Sequence, residues 1–356
     1  MPDWWWSVNM STPRRLTQRK IAELANVSQS TVSLVVNNKE GSSARIPPET
    51  RERVLKVLQE HGYVADPAAR SLAGVANKLI GVFTYEAAFP AETRDFYSEL
   101  LTGVEAQAEI LGYDLLMFTS APVQDGRREL FHPTNRLRLA DGCLLLGLEI
   151  ESADLERLVS GDYPFVAVGR RDTQNVPYVG ANYVDGVVQL VEKAWKLGHR
   201  KFLLLHRDTE AESVADRIRG FVRGMSEMDP SILRQTPISV AARTSQDLWS
   251  QVVSSGASVV FAEDPAHASL IYREAIKNSV DVPRELSIVT LADPSTLFEN
   301  DPDFTRLSPP RQKLGAESLT LLAKILISGI PKNTADYQLL LPCELVSGKT
   351  LVAARV

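Results

Sequence analysis

The stretch from Leu16 to Asn38, LTQRKIAELANVSQSTVSLVVNN, constrains this chain most. Its apolar spacing describes two short helices with almost nothing between them. Leu16, Ile21, Leu24 and Ala25 recur at helical intervals on one face of the first, which marks an amphipathic helix. Thr17 stands where an N-cap hydroxyl would satisfy the first free amides. The second helix is expected to begin after Ser28 and to carry Thr31, Val32, Leu34, Val35 and Val36. Asn26-Val27-Ser28 allows only a tight turn, and the small Ala25 lets the helices cross closely. Such a pair predicts a helix-turn-helix, whose second helix enters the DNA major groove. A plain helical hairpin inside a core has the same pattern, so the flanking sequence must separate the two.

That flanking sequence favours the first. The run Thr50 to His61 repeats apolar residues at Val54, Leu55, Val57 and Leu58, behind Pro48 and Glu49 and ahead of Gly62. This predicts a third helix with a left-handed glycine cap, closing a three-helix core. Asp66, Pro67 and Gly74 then bracket a helix of about two turns, too short to be stable alone in water. It reads either as a bland linker or as a helix that orders only on DNA. From Ser11 to Lys78 there are eleven Lys/Arg against six Asp/Glu; the remainder of the chain holds 28 against 38. A basic head on an acidic body suits nucleic-acid binding by the head alone.

The segments IAELANVSQSTVSLVVNN, PPETRERVLKVLQEHGY and DPAARSLAG resemble, in order and spacing, the DNA-binding head and hinge of the lactose-repressor/galactose-repressor family of bacterial transcription regulators. The resemblance implies that hinge helices of two subunits pair in the minor groove, with Leu72 as the apolar wedge between base steps and Arg70 beside it. It places the base readers Gln29 and Ser30 at the start of the second helix. Thr17, Thr31, Ser33 and Asn37 suit phosphate contacts that fix register. Leu34 departs from the polar residue many relatives carry there: it can pack on a thymine methyl but cannot pair with guanine.

From Leu79 the pattern becomes alternating apolar strands and amphipathic helices. Strands are expected at 79–85, 113–119, 142–148 and 165–169, with helices at 96–111 and 153–159. After Val179 a second run follows: helices 186–197, 214–225, 246–254 and 266–278, and strands 201–205, near Ser239, 258–262 and 286–291. Closing strands lie in 337–351. Strand–helix alternation predicts parallel sheets with right-handed crossovers, and two runs predict two lobes. Ligands in such folds bind outside the carboxyl ends of the strands, here between the lobes. There is no GxSxG, P-loop, HExxH or GxGxxG after a strand, and His61, His132, His199, His206 and His267 are scattered. The body is therefore expected to bind without catalysing, with no cofactor and no metal.

LIGV, DFYSELLTGVEAQAEILGYDLL, LADGCLLLG, KLGHRKFLLL, DRIRGF and DVPRELSIV extend the resemblance to the family's effector domain, which is similar to periplasmic sugar-binding proteins. The implied fold is a small all-α helix-turn-helix head plus an α/β two-lobed body with two parallel doubly wound sheets. The implied effector arginine is Arg217. Tyr85, Phe96, Arg170, Glu263, Asp264 and Asp293 complete the expected ligand positions. Ala292 stands where an acidic residue is common, and Arg170 is an added positive charge. An anionic effector, a sugar acid or sugar phosphate, is thus expected beside the plain sugar. The loop Glu86–Asp95 is expected to cover the cleft.

The expected organisation is a disordered extension at 1–14, a DNA-binding domain at 15–62, a hinge at 63–78 and an effector-binding and dimerisation domain at 79–356. Trp4, Trp5 and Trp6 lie in the extension, which is alternatively upstream sequence before Met10 or an aromatic interaction tag. Cys143 and Cys343 have no partner spacing, as expected of buried thiols in a reducing compartment. No run of apolar residues reaches membrane-span length and the first residues lack a signal-peptide pattern, so a cytoplasmic location is expected. The partners expected are double-stranded operator DNA, a small effector and a second copy of the chain. With no long heptad tail, a dimer is expected rather than a tetramer. A transport solute-binding protein explains the lobes but not the basic head, and a sugar enzyme with a DNA-binding head lacks a catalytic motif.

Overall fold

The computed structural model describes residues 17–37, 46–63, 76–86, 94–124, 126–240, 244–294, 301–329 and 335–355. The chain divides into two compact units, Met1–Asn77 and Lys78–Val356.

In the first unit, α1 (Gln18–Ala25) and α2 (Gln29–Asn37) are followed by α3 (Pro48–Glu60). The turn is built from local hydrogen bonding. The Thr17 hydroxyl accepts from the Lys20 amide and caps α1. Asn26 takes the left-handed conformation (φ 52°), and its N–H donates to the carbonyls of Ala22 and Glu23. Asn adopts this conformation more readily than most side chains, so the chain turns sharply without a glycine. The Ser28 hydroxyl then accepts from the Thr31 amide at 3.1 Å and starts α2. Ile21, Ala22, Ala25, Val32, Val35 and Val54 form the core. Arg53 ties α3 to the end of α1 by donating to the Ala25 carbonyl at 2.9 Å. Gly62 after α3 has φ 54°, as a left-handed cap requires. Two expected core residues are corrected: Leu24 is 45% and Leu55 46% exposed. Ala22 takes the place at the helix crossing that Leu24 is too far round the helix to reach.

The second unit contains two six-stranded sheets. The first has the order β13-β7-β6-β5-β1-β2, made of β1 (Leu79–Thr84), β2 (Asp114–Phe118), β5 (Gly142–Leu146), β6 (Phe165–Val168), β7 (Tyr178–Asn182) and β13 (Gln338–Pro342). The second has the order β14-β12-β11-β10-β8-β9, made of β8 (Phe202–His206), β9 (Ile238–Val240), β10 (Val259–Ala262), β11 (Ser287–Thr290), β12 (Thr305–Ser308) and β14 (Glu344–Val346). All pairings are parallel except β12 with β14. A two-stranded ribbon joins β3 (Val123–Gln124) to β4 (Arg127–Arg128). Central strands such as GCLLL and VVFA are apolar because both faces of each sheet are buried. Each sheet accordingly separates two apolar clusters.

The simple division into one run of elements per lobe is corrected. The chain changes lobes three times. It leaves the first sheet at β7, where Asn182 caps α6 (Tyr183–Lys196). It returns after β12 through α11 (Arg311–Ser328), a helix absent from the sequence reading. It crosses finally between β13 and β14. Leu314, Leu319, Leu322 and Ile325 of α11 join the first lobe's core. This helix lies close against α4 (Arg94–Leu111): a Cβ on Gly315 would come within 2.1 Å of the Leu100 carbonyl, and one on Gly103 within 1.8 Å of the Gln312 carbonyl. Only glycine allows backbones that near.

Candidate DNA-binding face and ligand cleft

On α2, Val32 and Val35 point into the head core while Gln29 and Ser30 are exposed. At 100° per residue, Ser30, Ser33 and Leu34 fall on the face opposite the two valines, and the Asn37 side chain lies outside the described residues. Thr31, Ser33 and Leu34 are half-buried. Leu34 is not among the apolar residues that pack into the head core. The Ser28 hydroxyl bonds those of Ser30 (2.7 Å) and Thr31 (2.8 Å), fixing the first turn. Thr17 serves as the α1 cap. Asn37 ends α2. Arg70 and Leu72 lie outside the described residues, as do Leu16 and the hinge helix Asp66–Gly74.

The two lobes meet through charged groups at the carboxyl ends of their strands, the place where ligands bind in folds of this kind. Arg170 and Arg171 follow β6. Arg170 Nε donates to Asp216 Oδ2 at 2.6 Å, and Nη1 to Asp172 at 2.5 Å. Asp216 sits on α7 (Glu212–Met228) of the second lobe. Arg171 donates to Glu212 at 2.8 Å and to the Gly147 carbonyl at 2.6 Å. The Thr209 hydroxyl donates to Glu149. With the Asp172 amide donating to Glu212 at 3.3 Å, four contacts bridge the lobes on one side. Burial works against the charge on Arg170, but Asp216 and Asp172 outweigh it and hold its pKa above the ordinary value.

The floor of the second lobe carries a further cluster. Glu263, at the end of β10 and 1% exposed, accepts two bonds from Arg207, each 2.8 Å, and lies 3.4 Å from Arg217 Nη1. Burial raises the Glu263 carboxyl, yet the two guanidiniums win and its pKa lies below the usual value. Arg217 also donates to the carbonyls of Leu291 (2.8 Å) and Ser213 (2.9 Å), and its guanidinium lies 3.7 Å from the Tyr183 ring centroid. Asp264 accepts from the Ala266 amide as N-cap of α10 (Pro265–Lys277), with Arg207 3.8 Å away. Asp293 accepts from Arg306 at 3.0 Å and from Ser308 at 2.8 Å. Arg311, opening α11, lies 3.9 Å from Asp293 and 3.8 Å from Glu99 of the first lobe.

Arg217, Glu263 and Asp264 thus share one cluster through Arg207, which the sequence reading missed, as it did Arg171, Glu212 and Asp216. The adjacent arginines 170 and 171 were the available signal; their carboxylate partners lie far along the chain. Two expectations are corrected. Tyr85 is 1% exposed: its ring packs against Phe83 in the first lobe's core and its hydroxyl donates to Asp154 at 3.1 Å. Arg170 does not present an unpaired positive charge, because two carboxylates neutralise it. Phe96 lies in α4, and its side chain is outside the described residues, as is most of the loop Glu86–Asp95. Among the described residues no group of His, Cys, Asp and Glu is arranged to hold a metal. No described helix is long and apolar enough to cross a membrane. Cys143 and Cys343 are free thiols, and burial pushes Cys343 up to about 12.

Comparison with known proteins fits this geometry. Residues 17–66 match the description of bacterial regulatory proteins of the lacI family, and residues 191–351 match a periplasmic binding protein-like domain. The HTH-type transcriptional regulator DegA of Bacillus subtilis (strain 168) is 26% identical over 336 residues, covering 92% of this chain and 95% of DegA. The lac repressor dimer bound to operator and the anti-inducer ONPF has the same fold, with a TM-score of 0.70 at 20% identity over 96% of this chain and 100% of that one. The transcriptional regulator CelR–cellobiose complex superposes with a TM-score of 0.62 at 22% identity over 94% and 100%. The curated relatives are transcriptional regulators, not enzymes.

Proposed function

Because this chain belongs to the lacI family of bacterial regulatory proteins, we propose that it is a homodimeric repressor of the cytoplasm whose hold on operator DNA is set by a neutral, polyhydroxylated effector in the cleft between its lobes. DNA is read by Gln29 and Ser30, with Leu34 against an apolar base edge and Thr17, Thr31, Ser33 and Asn37 on phosphates. Arg70 and Leu72 act from the hinge in the minor groove.

One observation carries the choice of effector: Arg170, Arg171, Arg207 and Arg217 are each already in an ion pair, Arg207 and Arg217 sharing Glu263 with Asp264 3.8 Å from Arg207. A neutral sugar hydrogen-bonds such a network without removing its charge balance. An anion would have to displace Asp172, Asp216 or Glu263, leaving a carboxylate unpaired. Cellobiose, the ligand of the CelR complex, is a neutral sugar of this class. Arg207, Asp264 and Asp293, whose side chains keep partial exposure, supply the donors and acceptors, with Arg217 and Glu263 buried behind them. The Arg170–Asp216 and Arg171–Glu212 bridges hold the lobes together, and an effector acts by binding one lobe arrangement better than another.

The test is mobility shift of the full chain on its own upstream promoter, with panels of neutral sugars, sugar acids and sugar phosphates. DNA binding altered by a neutral sugar is expected. No binding with or without small molecules refutes the regulator. A response confined to anions refutes the neutral effector and leaves the regulator standing.

A further inference from the structure

On the first lobe, a cavity of about 550 Å³ is lined by residues from two stretches, 130–138 and 157–163. None of them belongs to the ligand cleft. The volume lies within the range of small-molecule sites. Its charge is unbalanced where the cleft's is balanced. Arg136, Arg138 and Arg157 line it together with His132, and no Asp or Glu does. Among the described residues none of these arginines forms an ion pair, whereas each of the four cleft arginines does. Arg157 has the Asp154 carboxylate nearby while Arg136 and Arg138 are solvated, and an anion shared among the three gains attraction from each.

The cavity is built to hold them. The Arg157 guanidinium lies over the Phe131 ring, 3.9 Å from its centroid, a contact that orders the side chain without neutralising it. The Tyr163 hydroxyl donates to the Leu137 carbonyl at 2.8 Å. This pins the 3-10 turn Leu137–Leu139, which carries Arg138 and is entered from Arg136. Asn135 donates to the Leu130 carbonyl at 2.6 Å, and its buried Oδ1 has no hydrogen-bond partner. The remaining wall is apolar, from Leu130, Phe131, Leu158 and Tyr163.

We infer that this cavity is a second ligand site, for a small phosphate ester with a flat or apolar body. A phosphate dianion offers acceptors to more than one guanidinium fork at once, which suits three arginines better than a single carboxylate does. The body of the ester packs on Phe131 and Tyr163. The site is independent of the cleft effector.

Phenyl phosphate is the probe, titrated calorimetrically into the full chain alongside phenol and inorganic phosphate. Binding of phenyl phosphate tighter than either control is expected, weakened at least about tenfold in R136Q/R138Q and partly restored in R136K/R138K. Both arginines are exposed, so the melting temperature should not change. Binding undiminished in R136Q/R138Q, or no binding of phenyl phosphate by the wild type, overturns the inference.

Discussion

Replacing Glu263 by Gln tests the account of the cleft most directly. The substitution keeps size and shape but removes the buried negative charge held by Arg207 at 2.8 Å and by Arg217 at 3.4 Å. Removing one partner of a fully buried pair costs about 3–5 kcal/mol, because the other charge is stranded. That range must be lowered here. The Arg207 side chain is 36% exposed and Asp264 stands 3.8 Å away, so it keeps water and a second carboxylate. Arg217, 6% exposed, is the stranded group, though it retains the Leu291 and Ser213 carbonyls and the Tyr183 ring. A loss of about 2–3 kcal/mol follows, and at roughly 2 °C per kcal/mol for a large domain the melting temperature falls by about 4–6 °C. Calorimetric melting of wild type, Glu263→Gln, Arg217→Met and the double variant measures it. The double variant should recover part of the loss. A Glu263→Gln protein that melts with the wild type, or strictly additive losses, refutes the reasoning.

Other outcomes follow from single residues. Leu34→Arg should change operator preference more than overall affinity, because it offers a guanine-pairing group on the outer face of α2; identical consensus sequences from random-DNA selection would refute this. Gly315→Ala should lower the urea midpoint by an amount equivalent to about 1–3 kcal/mol, since its Cβ would meet the Leu100 carbonyl at 2.1 Å and neither helix backbone can yield cheaply. An unchanged midpoint would show that the helices shift freely. His199 is buried between Ser258 and the Val352 carbonyl, and burial holds its imidazole below the ordinary value of 6.5. The unfolded chain therefore takes up this proton first as pH falls. Wild-type stability should decline from about pH 6.5 downward, more steeply than that of His199→Asn, in melts compared at several pH values. Parallel curves would contradict it.

The parts legible in the sequence are those whose causes are short-range. The helix-turn-helix is specified by Thr17, Asn26 and Ser28, each satisfying backbone groups within four residues of itself. Its outer face follows from where Val32 and Val35 fall on the helix. The buried strands are equally plain, because a strand covered on both faces must be apolar throughout. Leu24 and Leu55 mislead because spacing alone does not say how wide a face the three-helix core covers.

Tertiary structure decided which strand joins which sheet and which charge meets which. Nothing local in Tyr178–Asn182 or Gln338–Pro342 says that both pair within the first sheet, or that Arg311–Ser328 returns between them to cover it. Arg170 read as a free cation beside an effector, because its sequence neighbours show only Asp172. Asp216, 46 residues away on the other lobe, completes its neutralisation. A residue's type and its helix or strand are written by near neighbours. Its net charge in the fold, and so the ligand it can accept, depends on partners that only chain crossings between the lobes bring within reach.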